Sequence, residues 1–319
     1  MCLFPKLIEN PRYKPSKRNG GNPIPCTDER KRYVPIGCGK CIECLRQKAL
    51  SWSIRLNEEL KVNNFAYYVT FTFSNKELMK LRKELHMREC NAVAGKALRR
   101  FLERWRKTYK KSLKHWCVTE LGHEGTERIH LHGIIFNDFE ISAEEFEKYW
   151  KYGNVKIGEY CNLRTINYIV KYLHKIDTDH KGFYGEIFCS AGIGRNYLRK
   201  PLTRQIHKFR GENTIEYYRM PNGGKVALPI YYRNHLFTED EREELWVHKI
   251  EQKKRFVLGN EITDINTKEG EERYLRVLKK AQETNKKVGF GDSSKEWKKR
   301  AYNITSRMLN MRDKILKDI

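Results

Sequence analysis

The sequence predicts an α+β fold: an antiparallel sheet with flanking helices, preceded by a cysteine-rich, zinc-binding arm and followed by a helical C-terminal region. Three observations predict it. Strand-like and helix-like stretches alternate through the middle of the chain in the order β, α, ββ, α, β, α. Two of those strands are adjacent and joined by the turn-like Gly122-His123-Glu124-Gly125-Thr126, the mark of an antiparallel pair. Five of the nine cysteines fall within the first 44 residues, and residues 241–319 are charged with few large apolar side chains.

Each element has its own reason. Residues 1–36 are rich in Pro, Gly, Asn and Lys, show no periodicity and read as an irregular arm. From Leu45 to Leu56, apolar residues recur at helical spacing with Arg and Lys between them. Phe65–Phe73 is β-branched and aromatic, hence a strand. Asn91–Lys111 is a basic helix whose apolar stripe is Leu98, Phe101, Leu102, Trp105 and Tyr109. His115–Leu121 and Arg128–Phe136 form the hairpin. Ser142-Ala143-Glu144-Glu145 has the capping-box pattern and opens a helix through Trp150. Gly153–Glu159 is a further strand and Thr165–Lys175 a further helix. A hairpin is expected around Pro221-Asn222-Gly223-Gly224, and a second capping box at Thr238–Glu241. The expected division is 1–60 (arm and basic helix), 61–240 (sheet domain) and 241–319 (basic helical region).

The chain has 319 residues, with 64 Lys and Arg against 40 Asp and Glu, a formal charge of +24. At 39% apolar and 12% aromatic it can build a core. No apolar run approaches the ~20 residues that span a bilayer, and no secretory signal is visible. A soluble protein with a polyanionic partner, nucleic acid first, is expected, and no membrane. Without a secretory signal, clustered cysteines read as a metal site rather than a disulfide framework. Cys38, Cys41 and Cys44 supply three thiolates for a structural Zn²⁺, which takes four ligands. Cys26 is the preferred fourth by proximity, with Cys2 the alternative. The remaining cysteines, 90, 117, 161 and 189, are expected to be small buried hydrophobes.

Two constellations carry chemistry. His130-Leu131-His132 on a strand puts both imidazoles on one face, ~6.6 Å apart by strand rise, with Leu131 toward the core. Hairpin pairing brings Glu120 beside them. Two imidazoles and a carboxylate suit Mn²⁺ and can serve Mg²⁺, with positions open for a phosphate oxygen. The second is Tyr168-Ile169-Val170-Lys171-Tyr172, where tyrosines at i and i+4 share a helical face beside Lys171 and Lys175. A phenol with a pKa near ~10 is about one-thousandth ionised at neutral pH, so attack on a phosphodiester needs a cation and a metal to assist. Either motif alone is also compatible with an ordinary strand or helix; together in a basic chain they point to phosphodiester chemistry. The pairs Tyr217-Tyr218 and Tyr231-Tyr232 are expected in the core or across strands rather than on bases. The runs Lys107–Lys111 and Lys298-Lys299-Arg300 read as solvated faces that help hold phosphates.

In motif order, these residues resemble the HUH endonucleases that initiate rolling-circle replication. Phe71-Thr72-Phe73 resembles the family's opening strand motif, and Glu120-Leu121-Gly122 its third metal ligand. Ten positions separate Glu120 from His130, so His123 or Glu124 stands as an alternative ligand. Cys38-Gly39-Lys40-Cys41-x-x-Cys44, Gly192-Ile193-Gly194-Arg195-Asn196-Tyr197 and Leu228-Pro229-Ile230-Tyr231-Tyr232-Arg233 further resemble the replication initiation proteins of gokushoviruses, single-stranded DNA phages of the microvirus family. The likeness spans roughly residues 1–240. It implies an HUH-like fold and a metal-dependent endonuclease and strand transferase. Tyr168 and Tyr172 would alternate as nucleophiles on a single-stranded origin, through a 5′-phosphotyrosyl link, with Lys171 offsetting charge. The implied setting is the cytoplasm of a bacterial host, with host polymerase and helicase as further partners. Two other readings compete: an HUH transposase or plasmid mobilisation nuclease, and a non-enzymatic zinc-containing DNA-binding protein.

Overall fold

A five-stranded sheet forms where the β-branched and aromatic stretches lie. Its strands are β1 (Phe65–Phe71), β2 (Lys114–Leu121), β3 (Ile129–Asn137), β4 (Val155–Gly158) and β5 (Ile187–Cys189). Their order across the sheet is β4-β1-β3-β2-β5, and every neighbouring pair is antiparallel. The computed structural model describes residues 2–86, 89–122, 127–158, 161–175, 180, 183–252, 255–262, 265 and 267–291. The described residues divide into two compact units: Trp52–Asn196, which holds the sheet, and a unit built from residues up to Ser51 together with those from Tyr197 onward.

Strand alternation gives the sheet two buried faces. On one, Val69, Phe71, Cys117, Leu131 and Ile135 pack against the helices Asn75–Glu84, Cys90–Tyr109 and Ala143–Trp150. The expected stripe of the long basic helix is the part that packs: Leu98, Phe101 and Trp105 are buried, and Leu102 and Tyr109 lie against the same cluster. Ser142 caps the helix at 143–150 by accepting from the Glu145 N–H. At the other face the helix Leu163–Val170 buries Ile166, Ile169 and Val170. There Ser53 donates to the Asn167 amide oxygen at 2.9 Å, and Trp52 lies 5.8 Å from Trp116.

Buried Glu59 ties this unit together. Its carboxylate accepts from Lys114 Nζ at 2.6 Å, Asn63 Nδ2 at 2.8 Å and the Gly194 N–H at 2.7 Å. Burial alone would raise this carboxyl, but those donors hold it below the ordinary range.

The other unit draws on both ends of the chain, so packing groups the residues differently from linear boundaries at 60 and 240. Residues 1–36 are not all irregular: Lys6–Glu9 pairs antiparallel with Tyr33–Ile36. Leu3, Cys41, Val257, Ile262 and Ala281 form its small core, the last from the helix Lys268–Lys287. Asn285 of that helix accepts from the Ile42 N–H at 2.9 Å, across 243 positions of sequence. The expected hairpin forms between Tyr217–Arg219 and Lys225–Ala227, and the Thr238 capping box opens the helix Glu239–Glu251. Tyr218 and Tyr232 are buried, as expected of core tyrosines. Cys90 and Cys117 are buried, whereas Cys161 is half-buried and Cys189 exposed. Among the described residues no helix is long and apolar enough to cross a membrane.

Candidate functional site

The register of the central strands builds the site. Glu120 of β2 pairs directly with His130 of β3, and Thr70 of β1 pairs with His132 from the other side. The ten-residue separation between Glu120 and His130 is therefore no obstacle, because hairpin pairing closes it. His123 and Glu124 lie outside the described residues. Leu131, between the histidines, is fully buried on the opposite face.

Glu120 Oε2 lies 3.2 Å from His130 Nε2 and 3.0 Å from His132 Nε2. Lys175 Nζ donates to the other oxygen, Oε1, at 2.8 Å. Burial would raise the Glu120 carboxyl, yet the two imidazoles and the ammonium outweigh it and hold it well below the usual carboxylate range. Burial lowers His132, which keeps its ring neutral and able to ligate. His130 Nδ1 faces the Arg128 carbonyl at 3.3 Å; a carbonyl only accepts, so Nδ1 carries the hydrogen and Nε2 is left to bind. The three ligand atoms lie within 4.8 Å of one another. A carboxylate with two Nε2 atoms at that spacing fits one divalent ion and leaves coordination positions open.

The tyrosines sit at a change of helix type. The α-helix, capped by Asn162, ends at Val170, and Lys171–Leu173 continue as a 3₁₀ turn rather than α-helix to Lys175. The pair still meets: Tyr172 Oη donates to Tyr168 Oη at 2.8 Å. The Tyr172 ring lies parallel on His132, centroids 4.5 Å apart. Tyr168 is 52% exposed, whereas burial, the Tyr168 hydroxyl and the Glu120 charge push the Tyr172 phenol upward. The two are thus neighbours in unlike surroundings. Lys171 is exposed and makes no side-chain hydrogen bond or ion pair among the described residues. Lys175 is the lysine brought to the carboxylate, with its ammonium 5.7 Å from the Tyr172 ring centre. Spacing could have indicated it, since residues 168, 172 and 175 share one helical stripe. Tyr68 and Thr70, both within reach of His132 Nδ1, were missed as well; only the strand register reveals them.

In the other unit the thiols of Cys2, Cys38, Cys41 and Cys44 also lie within 4.8 Å of one another. Sγ separations of 3.9 Å (Cys2–Cys41) and 4.0 Å (Cys38–Cys44) match the ~3.8 Å edge of a tetrahedron with ~2.3 Å zinc–sulfur bonds. The fourth thiol is Cys2, not Cys26. Pairing of Lys6 with Ile36 carries the N-terminal segment back past residue 38, so sequence proximity misleads. Cys26 Sγ instead donates to the Asp28 carbonyl at 3.2 Å. Cys41 hydrogen-bonds Cys44, which drives the Cys41 thiol down and the Cys44 thiol up, so one of the two is biased to thiolate.

No curated protein and no solved structure matches the chain. Residues 66–177, which contain Glu120, both histidines and both tyrosines, match a family model described as a replication-associated protein, and this similarity supports a rolling-circle replication initiator family.

Proposed function

We propose that this protein initiates rolling-circle replication of a small phage genome by nicking and rejoining single-stranded DNA at an origin. The observation that carries the reading is the pair of phenol oxygens 2.8 Å apart, with one ring stacked on a histidine of the Glu120–His130–His132 group. One phenol loses its proton and forms a bond to the scissile phosphorus, and the departing 3′-oxygen gains a proton. This leaves a 5′-phosphotyrosyl link and a 3′-OH that a host polymerase can extend. After one round the other tyrosine cleaves the regenerated origin, and the released 3′-OH attacks the first link to close the circle.

Glu120, His130 and His132 would hold Mg²⁺ or Mn²⁺, which when bound offsets charge on the phosphate. Lys175 orients the Glu120 carboxylate, and exposed Lys171 is free to meet the DNA backbone. Cys2, Cys38, Cys41 and Cys44 would hold a structural Zn²⁺. The +24 charge supports binding to the DNA backbone. The phage setting rests on the cysteine, Gly192–Tyr197 and Leu228–Arg233 motifs.

Labelled circular single-stranded phage DNA with Mn²⁺ tests the reading. An adduct that survives denaturation is expected, mapping by mass spectrometry to Tyr168 or Tyr172. Tyr168→Phe and Tyr172→Phe should each retain some cleavage but fail to release closed circles, and the double variant should form no adduct. Full adduct formation by the double variant removes this helix from the chemistry.

A further inference from the structure

The two histidines of the site are held in different ways. His130 Nδ1 is fixed by a backbone carbonyl, that of Arg128. His132 has no such anchor: its Nδ1 lies 2.9 Å from Tyr68 Oη and 3.1 Å from Thr70 Oγ1. Both hydroxyls come from β1. Thr70 stands opposite His132 in the ladder, and Tyr68, two residues earlier, shares its face. His132 is 8% exposed, so water is largely excluded from competing for that nitrogen.

We propose that Tyr68 and Thr70 are positioning residues whose hydroxyls hold His132 by Nδ1 and so aim Nε2 at Glu120 and a divalent ion. The inference rests on the metal-site reading given above and deepens it. When Nδ1 donates to either oxygen, the Nε2 lone pair is the one left to bind metal. The two acceptors also fix the ring plane, on which Tyr172 stacks. Partners of this kind set the tautomer and basicity of a ligating histidine, and removing them typically weakens metal binding ~10–100-fold. Tyr68 is then a third phenol at the site that is not a nucleophile. Its hydroxyl is engaged with the histidine, while its ring meets Tyr168 edge-on at 6.2 Å.

The test reads metal binding directly, by electron paramagnetic resonance of free Mn²⁺ titrated with the full chain. The variants are Tyr68→Phe, Thr70→Val, both together, Thr70→Ser, and His130→Ala/His132→Ala as the control. The native chain should take up one Mn²⁺ at this site and the histidine double variant none. Tyr68→Phe/Thr70→Val should bind about tenfold or more weakly, each single variant should fall between, and Thr70→Ser should match the native chain. In the DNA adduct assay, the double hydroxyl variant should need about tenfold more Mn²⁺ for half-maximal rate, yet recover its rate at saturation. Unchanged Mn²⁺ affinity in Tyr68→Phe/Thr70→Val, with none in the histidine variant, overturns this inference alone. Equal binding by native chain and histidine variant overturns the metal-site reading instead. Loss of adduct in Tyr68→Phe at saturating Mn²⁺ would make Tyr68 part of the chemistry and refute the positioning role. Each substitution removes only a hydroxyl or swaps it for a methyl, and unfolding in chelator should be unchanged; a large loss there would make the role structural and also count against it.

Discussion

Cys2→Ser and Cys26→Ser should behave oppositely. Cys2 Sγ sits 3.9 Å from Cys41 Sγ and accepts from the backbone N–H groups of Cys38 and Phe4 at 3.2 and 3.3 Å, a thiolate-like environment. Structural zinc in small cysteine sites contributes about 10–16 kcal/mol, so removing one thiolate of four should cost roughly 3 kcal/mol. That corresponds to about a hundredfold in zinc affinity, and to a fall of ~6–12 °C in the unfolding midpoint for a unit of this order of size. Cys26 meets only a backbone carbonyl, and its loss should stay within about 0.5 kcal/mol, as for ordinary partly exposed positions. Elemental analysis after dialysis against graded chelators, paired with thermal unfolding, reads both quantities. Zinc lost from Cys26→Ser and kept by Cys2→Ser would refute the assignment of the fourth ligand. A native chain purified from zinc-supplemented cells without metal would refute the centre itself.

Further outcomes are expected elsewhere. His130→Ala/His132→Ala should abolish cleavage of single-stranded DNA while binding, measured by anisotropy, falls by less than about threefold, because phosphate contacts come mainly from Lys and Arg. Binding should weaken as a power of salt concentration; a flat affinity between ~50 and ~200 mM would mean the +24 charge is not the binding surface. Glu59 has a depressed folded-state pKa, so its contribution is present above the ordinary glutamate value of ~4.3 and is lost as pH falls through the folded value. Glu59→Gln should therefore be less stable at neutral pH and show a shallower decline in urea-derived stability below pH ~4.3. An acid limb as steep as the native one would discount that carboxylate.

Much of the site was legible because it depends on local periodicity. Alternation alone puts His130 and His132 on one face and Leu131 on the other, and i, i+4 spacing alone pairs Tyr168 with Tyr172. The strands with strong β-branched content form within a few residues of their expected limits. What stayed hidden depends on tertiary register. Ile187–Cys189 is a three-residue edge strand with too little pattern to declare itself. Lys6–Glu9 and Tyr33–Ile36 are short, polar and Pro-containing, and pair only because the chain returns. Their pairing exchanged Cys26 for Cys2. Likewise nothing in sequence spacing says that Thr70 faces His132, or that Lys175 rather than Lys171 reaches Glu120.

The two units differ in when they can form. The described residues of the sheet-bearing unit all come from one stretch of chain, 52 to 196, so every contact that builds the catalytic group is available once that stretch has left the ribosome. The cysteine-bearing unit has to wait. Its core needs Leu3, Cys41, Val257 and Ala281 together, and the Ile42 N–H finds its acceptor only at Asn285. A nascent chain would thus carry its finished histidine and tyrosine face while its thiols are still uncovered. Metal capture by the four cysteines early in synthesis would shorten that interval, by closing the loop between residues 2 and 38 long before the helix that buries it exists.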